Sequence, residues 1–303
     1  MELETLRLFV AVVDSGHIAG AARQLGLSPS LASRRITALE AEVGTPLLLR
    51  NTRSLAPTEA GLALLGWARP VVGDWGRLRE DMGALQGRVS GLIRIATNDY
   101  AAATYMPPIL ATFSARYPEV SVSVSIALEP ARLLEGACDI AVHAGRRPDA
   151  ALIGRRLYEY KRRVVASPAY LAANPAPTTP AELSAHRCLT HTVSEPTAWS
   201  FLAPGGAILT QPIRSQLACD SWTMLRELAI EGAGVARLSD SLVRVALAEG
   251  RLVELLPDLR SVYADGDPPA MWVLFADRRM PLRNRLFADY VMERLLSVHE
   301  AAG

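Results

Sequence analysis

Gly26, Ser28 and Pro29 fall together between two stretches of helical periodicity, and no other feature narrows the fold of this chain as much. Upstream, Leu3, Leu6, Phe9, Val10 and Val13 recur at helical spacing and predict an amphipathic helix over 4–15, ended at Ser15-Gly16. Ile18 to Leu25 predicts a second, short helix, in which Ala21 and Ala22 are small enough for another helix to cross closely. Gly26 stands where a tight turn needs a positive φ. Ser28 then supplies an N-cap and Pro29 a first helical residue. The third helix, predicted over 29–42, turns Ala32, Ile36 and Leu39 inward and Ser30, Ser33, Arg34 and Thr37 outward. Two short helices joined by a glycine turn, the second with a small polar outer face, make a helix-turn-helix. On these residues alone, a plain three-helix bundle with a solvated polar face stays open.

The following segment adds a hairpin. Thr45 to Arg50 predicts a short strand, Asn51 to Ser54 a polar turn, and Leu55-Ala56-Pro57 a return strand, placing Arg50 and Arg53 where a wing touches backbone phosphates. The net charge of +1 over 303 residues says little about partners, but Arg23, Arg34, Arg35, Arg50 and Arg53 against Glu40 and Glu42 give this region a local basic surface. Short hydroxyls permit close approach to a major groove, and arginine reads guanine O6 and N7 bidentately.

The stretch from Phe9 to Gly61 resembles the amino-terminal domain of LysR-type transcriptional regulators. The resemblance rests on Ala21-Ala22-Arg23-Gln24-Leu25-Gly26-Leu27-Ser28, Ser33 to Glu40, Gly44-Thr45-Pro46-Leu47 and Thr58-Glu59-Ala60-Gly61. It implies recognition-helix contacts at Pro29, Ser30, Ser33 and Arg34 and wing contacts at Arg50 and Arg53, with Ser28, Arg35 and Thr37 completing the expected DNA-binding set. Proline at 29, where the family often has glutamine, leaves only an apolar contact there.

Thr58 is a plausible N-cap for a long helix reaching about Gln86. Leu64, Ala68, Val71, Trp75, Leu78, Met82 and Leu85 follow one another at alternating spacings of four and three, the seam of a paired helix. A homodimer through 58–86 is the expectation, and the family's linker helix agrees. Pro70, with Gly66, Gly73 and Gly76, weakens the helix. A dimer carrying two recognition helices predicts an imperfectly palindromic operator on duplex DNA. The family commonly forms a dimer of dimers.

After a hinge-like break at 86–91, strands and helices alternate, which argues for α/β architecture. Strands are expected over 92–96, 120–127, 139–143, 164–166, 188–192, 217–219, 235–238 and 271–275. Helices are expected over 107–117, 131–135, 221–231, 240–249 and 282–297. This region resembles the LysR-type effector-binding domain through Pro107-Pro108, Arg116-Tyr117-Pro118, Gly136 to Ala141, Ser167 to Leu171, Gly232 to Ala236 and Gly250 to Val253. The resemblance implies a winged helix-turn-helix over 1–58, a linker helix over 59–88, and two Rossmann-like lobes of periplasmic-binding-protein type over 92–303. Lobe one would comprise 92–162 and 269–303, and lobe two 163–268.

Ligands of open α/β sheets sit at the carboxyl ends of strands, often against helix amino termini. That rule nominates Thr97, Asn98, Asp99, Tyr100, His143, Ser167, His191, Thr192, Asp220, Ser221 and Trp222 as effector contacts. Ser167 and Ser221 equally suit plain caps, and His143 and His191 satisfied polar roles. Asp99 would repel a carboxylate unless an arginine such as Arg146, Arg147 or Arg237 paired with it. Tyr100 and Trp199 are each placed to stack on a ring or to fill core.

The expectation is a ligand-responsive, sequence-specific transcriptional regulator whose partners are duplex DNA, itself and a small-molecule effector, plus RNA polymerase if it activates. No cofactor is expected. The competing readings are an enzyme and a transport-type binding protein on the same scaffold. Against an enzyme, no G-x-S-x-G elbow, Walker loop or zinc spacing occurs, and the three cysteines are dispersed. An acidic start at Glu2 and Glu4 without an apolar export segment, and no apolar run long enough for a membrane, predict a cytoplasmic protein.

Overall fold

The computed structural model describes residues 1–50, 55–84, 89–126, 133, 137–146, 148, 151–195, 197–276 and 280–302. The chain divides into two compact units, Met1–Arg88 and Val89–Gly303.

In the first unit, α1 (Leu3–Ser15), α2 (Ile18–Gln24) and α3 (Pro29–Val43) precede an antiparallel hairpin of β1 (Leu48–Arg50) and β2 (Leu55–Pro57), then α4 (Glu59–Ala84). Phe9, Val12, Ala21, Ala22, Ala32, Ile36 and Leu39 close one core among the helices. Both turn glycines take positive φ, +71° at Gly16 and +66° at Gly26. β1 starts at Leu48 rather than Thr45, because the amides of Leu47 and Leu48 are taken by the Glu40 carboxylate at 2.9 and 3.2 Å. Thr58 Oγ1 accepts the Gly61 amide at 3.0 Å and so starts α4. The helix continues through Pro70, which gives up one backbone bond without ending it.

The second unit holds two five-stranded sheets of the same order. In the first, β3 (Gly91–Thr97) pairs in parallel with β4 (Val120–Ile126) and β5 (Ile140–Gly145), and β15 (Ala270–Phe275) runs antiparallel between β5 and β6 (Ile153–Glu159). In the second, β8 (Cys188–His191) pairs in parallel with β11 (Ser215–Cys219) and β12 (Val235–Ser239), and β7 (Arg162–Ala166) runs antiparallel between β12 and β13 (Val253–Leu255). Each sheet therefore takes its one antiparallel insertion from a segment entering from the other lobe. The two crossovers lie side by side, the Tyr160 amide donating to the Pro269 carbonyl at 3.0 Å.

Helices α5 (Asp99–Thr104), α6 (Met106–Arg116) and α10 (Leu282–Ala302) belong to the first lobe, where Phe113, Phe287, Val291 and Leu295 pack on Ile93, Ile95 and Val273. In the second lobe, α7 (Pro168–Ala173) and a 3-10 turn at Pro180–Ala185 flank one face. α8 (Trp222–Ile230) and α9 (Asp240–Ala248) cover the other through Leu225, Ala229, Leu242, Val243 and Ala246. A separate antiparallel sheet joins β9 (Ala198–Leu202) to β10 (Ile208–Pro212) and β14 (Arg260–Val262).

The periodicity did not mark β6, β9, β10, β13, β14, α5 or α7. The helix expected at 131–135 and the last residue of the strand expected at 120–127 lie outside the described residues, except for buried Leu133.

Candidate nucleic-acid interface and interlobe cleft

Ser28 caps α3, its hydroxyl accepting the Leu31 amide at 3.3 Å. Pro29 takes the first helical position, where an amide would have no partner. With Ala32 and Ile36 wholly buried and Leu39 at 1% exposure, the opposite face of α3 is fixed outward. Pro29, Ser30, Arg34 and Thr37 are exposed there, with Ser33 and Arg35 partly so. Arg34 forms no ion pair among the described residues. Ser30 Oγ lies 3.2 Å from Ser28 Oγ, so the two hydroxyls at the helix start hold one another. Arg50 ends β1 in register with Leu55, and Arg53 lies outside the described residues.

The seam of α4 splits in two. Leu64 packs on the amino-terminal core and Ala68 is fully buried, so both are used within their own unit. Val71 is partly buried. Trp75, Leu78 and Met82 are exposed at 43%, 51% and 58%. Leu85 lies outside the described residues.

In the second unit β3 and β8 hold equivalent places in their two sheets. Thr97 is 1% exposed and its hydroxyl has no hydrogen-bond partner among the described residues. Asn98 caps α5 through the Ala101 amide at 2.8 Å. Among the described residues Asp99 pairs with neither Arg146 nor Arg237, two of the arginines weighed as its partners. Its carboxylate instead takes the Ser221 hydroxyl at 2.7 Å and the Trp222 and Thr223 amides at 3.1 and 2.9 Å, the open amino terminus of α8. Burial would push the Asp99 carboxyl up, but the hydrogen bonds from Thr223, Ser221 and Trp222 outweigh it and hold the group below its ordinary value. Arg146 pairs with Asp265 and Arg237 with Glu195, while Arg147 lies outside the described residues.

Ser221 also caps α8 through the Met224 amide at 3.1 Å, so one hydroxyl closes the helix and joins the lobes. His191 accepts the Val193 amide at Nδ1 (3.2 Å) and stacks on Trp222 at 4.3 Å between ring centres. Burial pulls both His191 and His143 below the ordinary histidine value. His143 Nε2 lies 3.2 Å from the Arg146 carbonyl. The Thr192 amide donates to the Cys219 carbonyl, Asp220 is exposed, and Ser167 caps α7 through the Tyr170 amide at 3.3 Å. Trp199 is not a cleft ring. It is 2% exposed within the second-lobe core, with the Arg237 guanidinium 5.3 Å from its centre.

A cavity of about 870 Å³ opens beside the crossovers, and of the nominated residues only Asn98, Tyr100 and Trp222 line it. Its remaining walls, including Tyr105, Tyr158, Lys161, Arg162, Asp240 and His299, went unmarked. The one available signal was the Lys161-Arg162-Arg163 run at the entry to the second lobe. Behind it, Arg162 and Arg237 are each 3% exposed at the side chain and share Glu195, while Arg162 also bonds the Tyr263 hydroxyl. Burial, with Arg162 beside it, pulls Arg237 down to about 10, which leaves it charged at neutral pH.

Two family descriptions match the chain: the bacterial regulatory helix-turn-helix protein of the lysR family over residues 3–62, and the LysR substrate binding domain over residues 86–296. The chain belongs to the LysR family of transcriptional regulators. It is 34% identical over 296 residues to the HTH-type transcriptional regulator CrgA of Neisseria meningitidis serogroup C, covering 96% of each chain. It is 32% identical over 297 residues to PtxR of Pseudomonas aeruginosa, covering 97% of this chain and 93% of that one. Among solved structures, CrgA from Neisseria meningitidis superposes with a TM-score of 0.57 at 32% identity, over 97% and 99% of the two chains. The Vibrio cholerae virulence activator AphB superposes with a TM-score of 0.61 at 28% identity, again over 97% and 99%. This LysR-family member thus joins a helix-turn-helix DNA-binding domain to a two-lobed α/β substrate-binding domain. Among the described residues no helix is long and apolar enough to cross a membrane.

Proposed function

We infer that this regulator reads an imperfectly palindromic operator as a dimer in the cytoplasm and answers to a small molecule held between the lobes of its second unit. The outward face of α3 carries the reading. Arg34 is exposed on it with no ion pair among the described residues, beside the short side chains of Pro29, Ser30 and Ser33. Arg34 supplies bidentate recognition of guanine, the short neighbours allow close approach, Arg35 and Thr37 complete the helix's contacts, and the wing arginines Arg50 and Arg53 take backbone phosphates. The exposed part of the α4 seam supports the dimer. Ligand binding shifts the population of lobe arrangements and so the geometry offered to DNA.

The test is selection of duplexes from a random pool with the full-length protein, with and without a metabolite panel. A two-fold symmetric consensus is expected, and Arg34→Ala should cost about 1–3 kcal/mol on that consensus and relax one base position. A retained base preference in Arg34→Ala would remove α3 as the reading helix. A consensus without symmetry would remove the dimer.

A further inference from the structure

Asp99 decides where an acidic ligand cannot sit. The amino terminus of α8 is the ordinary seat for a carboxylate at a strand-end cleft. Here the chain's own carboxylate fills it, with bonds of 2.7, 2.9 and 3.1 Å. The cavity lined by Tyr100 and Trp222 has two carboxylates in its walls, Glu159 and Asp240, and each is already held by two arginines, Arg156 with Arg260 and Arg163 with Arg244.

The charge around that cavity is uneven. Arg163 and Arg244 are matched by Asp240 and Glu254. Arg162 and Arg237 share Glu195, so among the described residues two buried guanidinium groups face a single carboxylate. Lys161 is the only lysine among 32 basic residues of the chain; it is exposed at the cavity and forms no ion pair among the described residues. An ammonium is a compact point charge on a flexible stem, suited to following an anion rather than locking onto a fixed one.

Rings make up much of the remaining wall, beside Met271, Val245 and Val298. Tyr105 and Tyr100 meet edge to face at 5.7 Å, Tyr158 lies stacked on His299 at 3.9 Å, and Trp222 also lines the cavity, backed by His191. Aromatic walls with a few convergent polar groups in about 300–1,000 Å³ are the usual make-up of a small-molecule site.

We propose that this cavity binds a planar aromatic acid, its ring system between Tyr105, Tyr158 and Trp222 and its anionic group on Lys161, backed by the charge of Arg162. The assignment rests on the reading of the second unit as a ligand sensor. It names the chemistry sensed.

Amine acetylation of the full-length protein tests it, because Lys161 and the Met1 amine are the only acetylatable amines and Met1 serves as the internal reference. Three probes separate ring from charge: 1-naphthoate, 1-naphthylmethylamine and propionate. Naphthoate alone should protect Lys161, by about ten-fold at saturation, and should quench tryptophan fluorescence. Lys161→Gln should weaken naphthoate binding about ten-fold, equivalent to about 1.4 kcal/mol, and Lys161→Arg should largely retain it. Equal binding of the amine, equal protection by propionate, or an unchanged affinity in Lys161→Gln overturns the assignment. If naphthoate binds as described but leaves operator binding unaltered, the site stands and the sensor reading falls. If naphthoate does not bind while another metabolite alters operator binding, the sensor reading stands and the aromatic-acid site falls.

Discussion

Three donors converge on Asp99 from one helix end, and the Asp99 side chain belongs to the other lobe. A carboxylate at that position is favoured by the open amides and by the helix dipole. Asp99→Asn keeps the shape but replaces one acceptor oxygen with a donor facing other donors. It should raise the rate of amide hydrogen exchange at Trp222 and Thr223, corresponding to a loss of about 1–2 kcal/mol after allowance for solvent screening. Unchanged exchange would mean that the contact does not hold the lobes. Because the Asp99 carboxyl is held below its ordinary value, the contact is fully formed above the ordinary aspartate range and is lost only as pH falls through the depressed value. The wild-type contact should therefore show no change in protection between pH 8 and pH 6. The sequence nominated Asp99, Ser221 and Trp222 together because strand ends and caps are local signals, and hydrogen bonds do join them. Which partner Asp99 would choose was not legible, since Ser221 and the α8 amides lie more than a hundred residues away and Arg146, Arg147 and Arg237 were equally available by charge alone.

Along α4, one apolar seam serves two purposes. Its first half is consumed by the amino-terminal core through Leu64 and Ala68, and its second half presents Trp75, Leu78 and Met82 outward. The double variant Trp75→Glu, Leu78→Glu should sediment as a monomer while keeping the helical circular dichroism of the parent; an unchanged sedimentation coefficient would exclude this face as the interface. At the start of the same helix, a Cβ on Gly61 would stand 2.1 Å from the Leu47 carbonyl oxygen, which the Thr58 amide already holds. Gly61→Ala must therefore separate α4 from the hairpin, and we expect a loss of at least about 2 kcal/mol in denaturant unfolding, as for other overpacked sites. The heptad spacing showed the seam but not its division, because periodicity records which face is apolar and not what covers it. The same limit hid β6: Ile153–Glu159 reads as polar and charged, and it becomes a strand only by pairing with β15, drawn from the far end of the chain. Helix α3 was legible to within a residue because its cap, its proline and its apolar face are contiguous in sequence.

The molecule as a whole contains separate cores, Phe9, Ile36 and Leu39 at the centre of one unit and Phe113, Phe287, Trp199 and Leu225 among those of the other. The chain forms two compact units, each with its own apolar packing, and such units unfold as separate cooperative transitions, so calorimetry of the full chain should show two. Acid should affect them differently. The only histidine of the first unit, His17, is exposed, whereas His143, His186 and His191 of the second unit are all held below the ordinary histidine value, chiefly by burial. In the unfolded chain these rings take up protons near pH 6.5, before the folded ones do. Their contribution to stability is complete above that pH and is lost progressively as pH falls from there towards the depressed folded values. Acidification from pH 7.5 to pH 5.5 should thus lower the melting temperature of the second unit, by about 2–4 °C for each kcal/mol lost in a unit of this size. The first unit should move less over the same interval. His191 is the most deeply buried of the three, so replacing it with glutamine, which carries no titrating proton, should flatten the pH dependence of the second transition. Equal displacement of both transitions, or an undiminished slope in His191→Gln, would place the acid sensitivity elsewhere, leaving the buried histidines as packing alone.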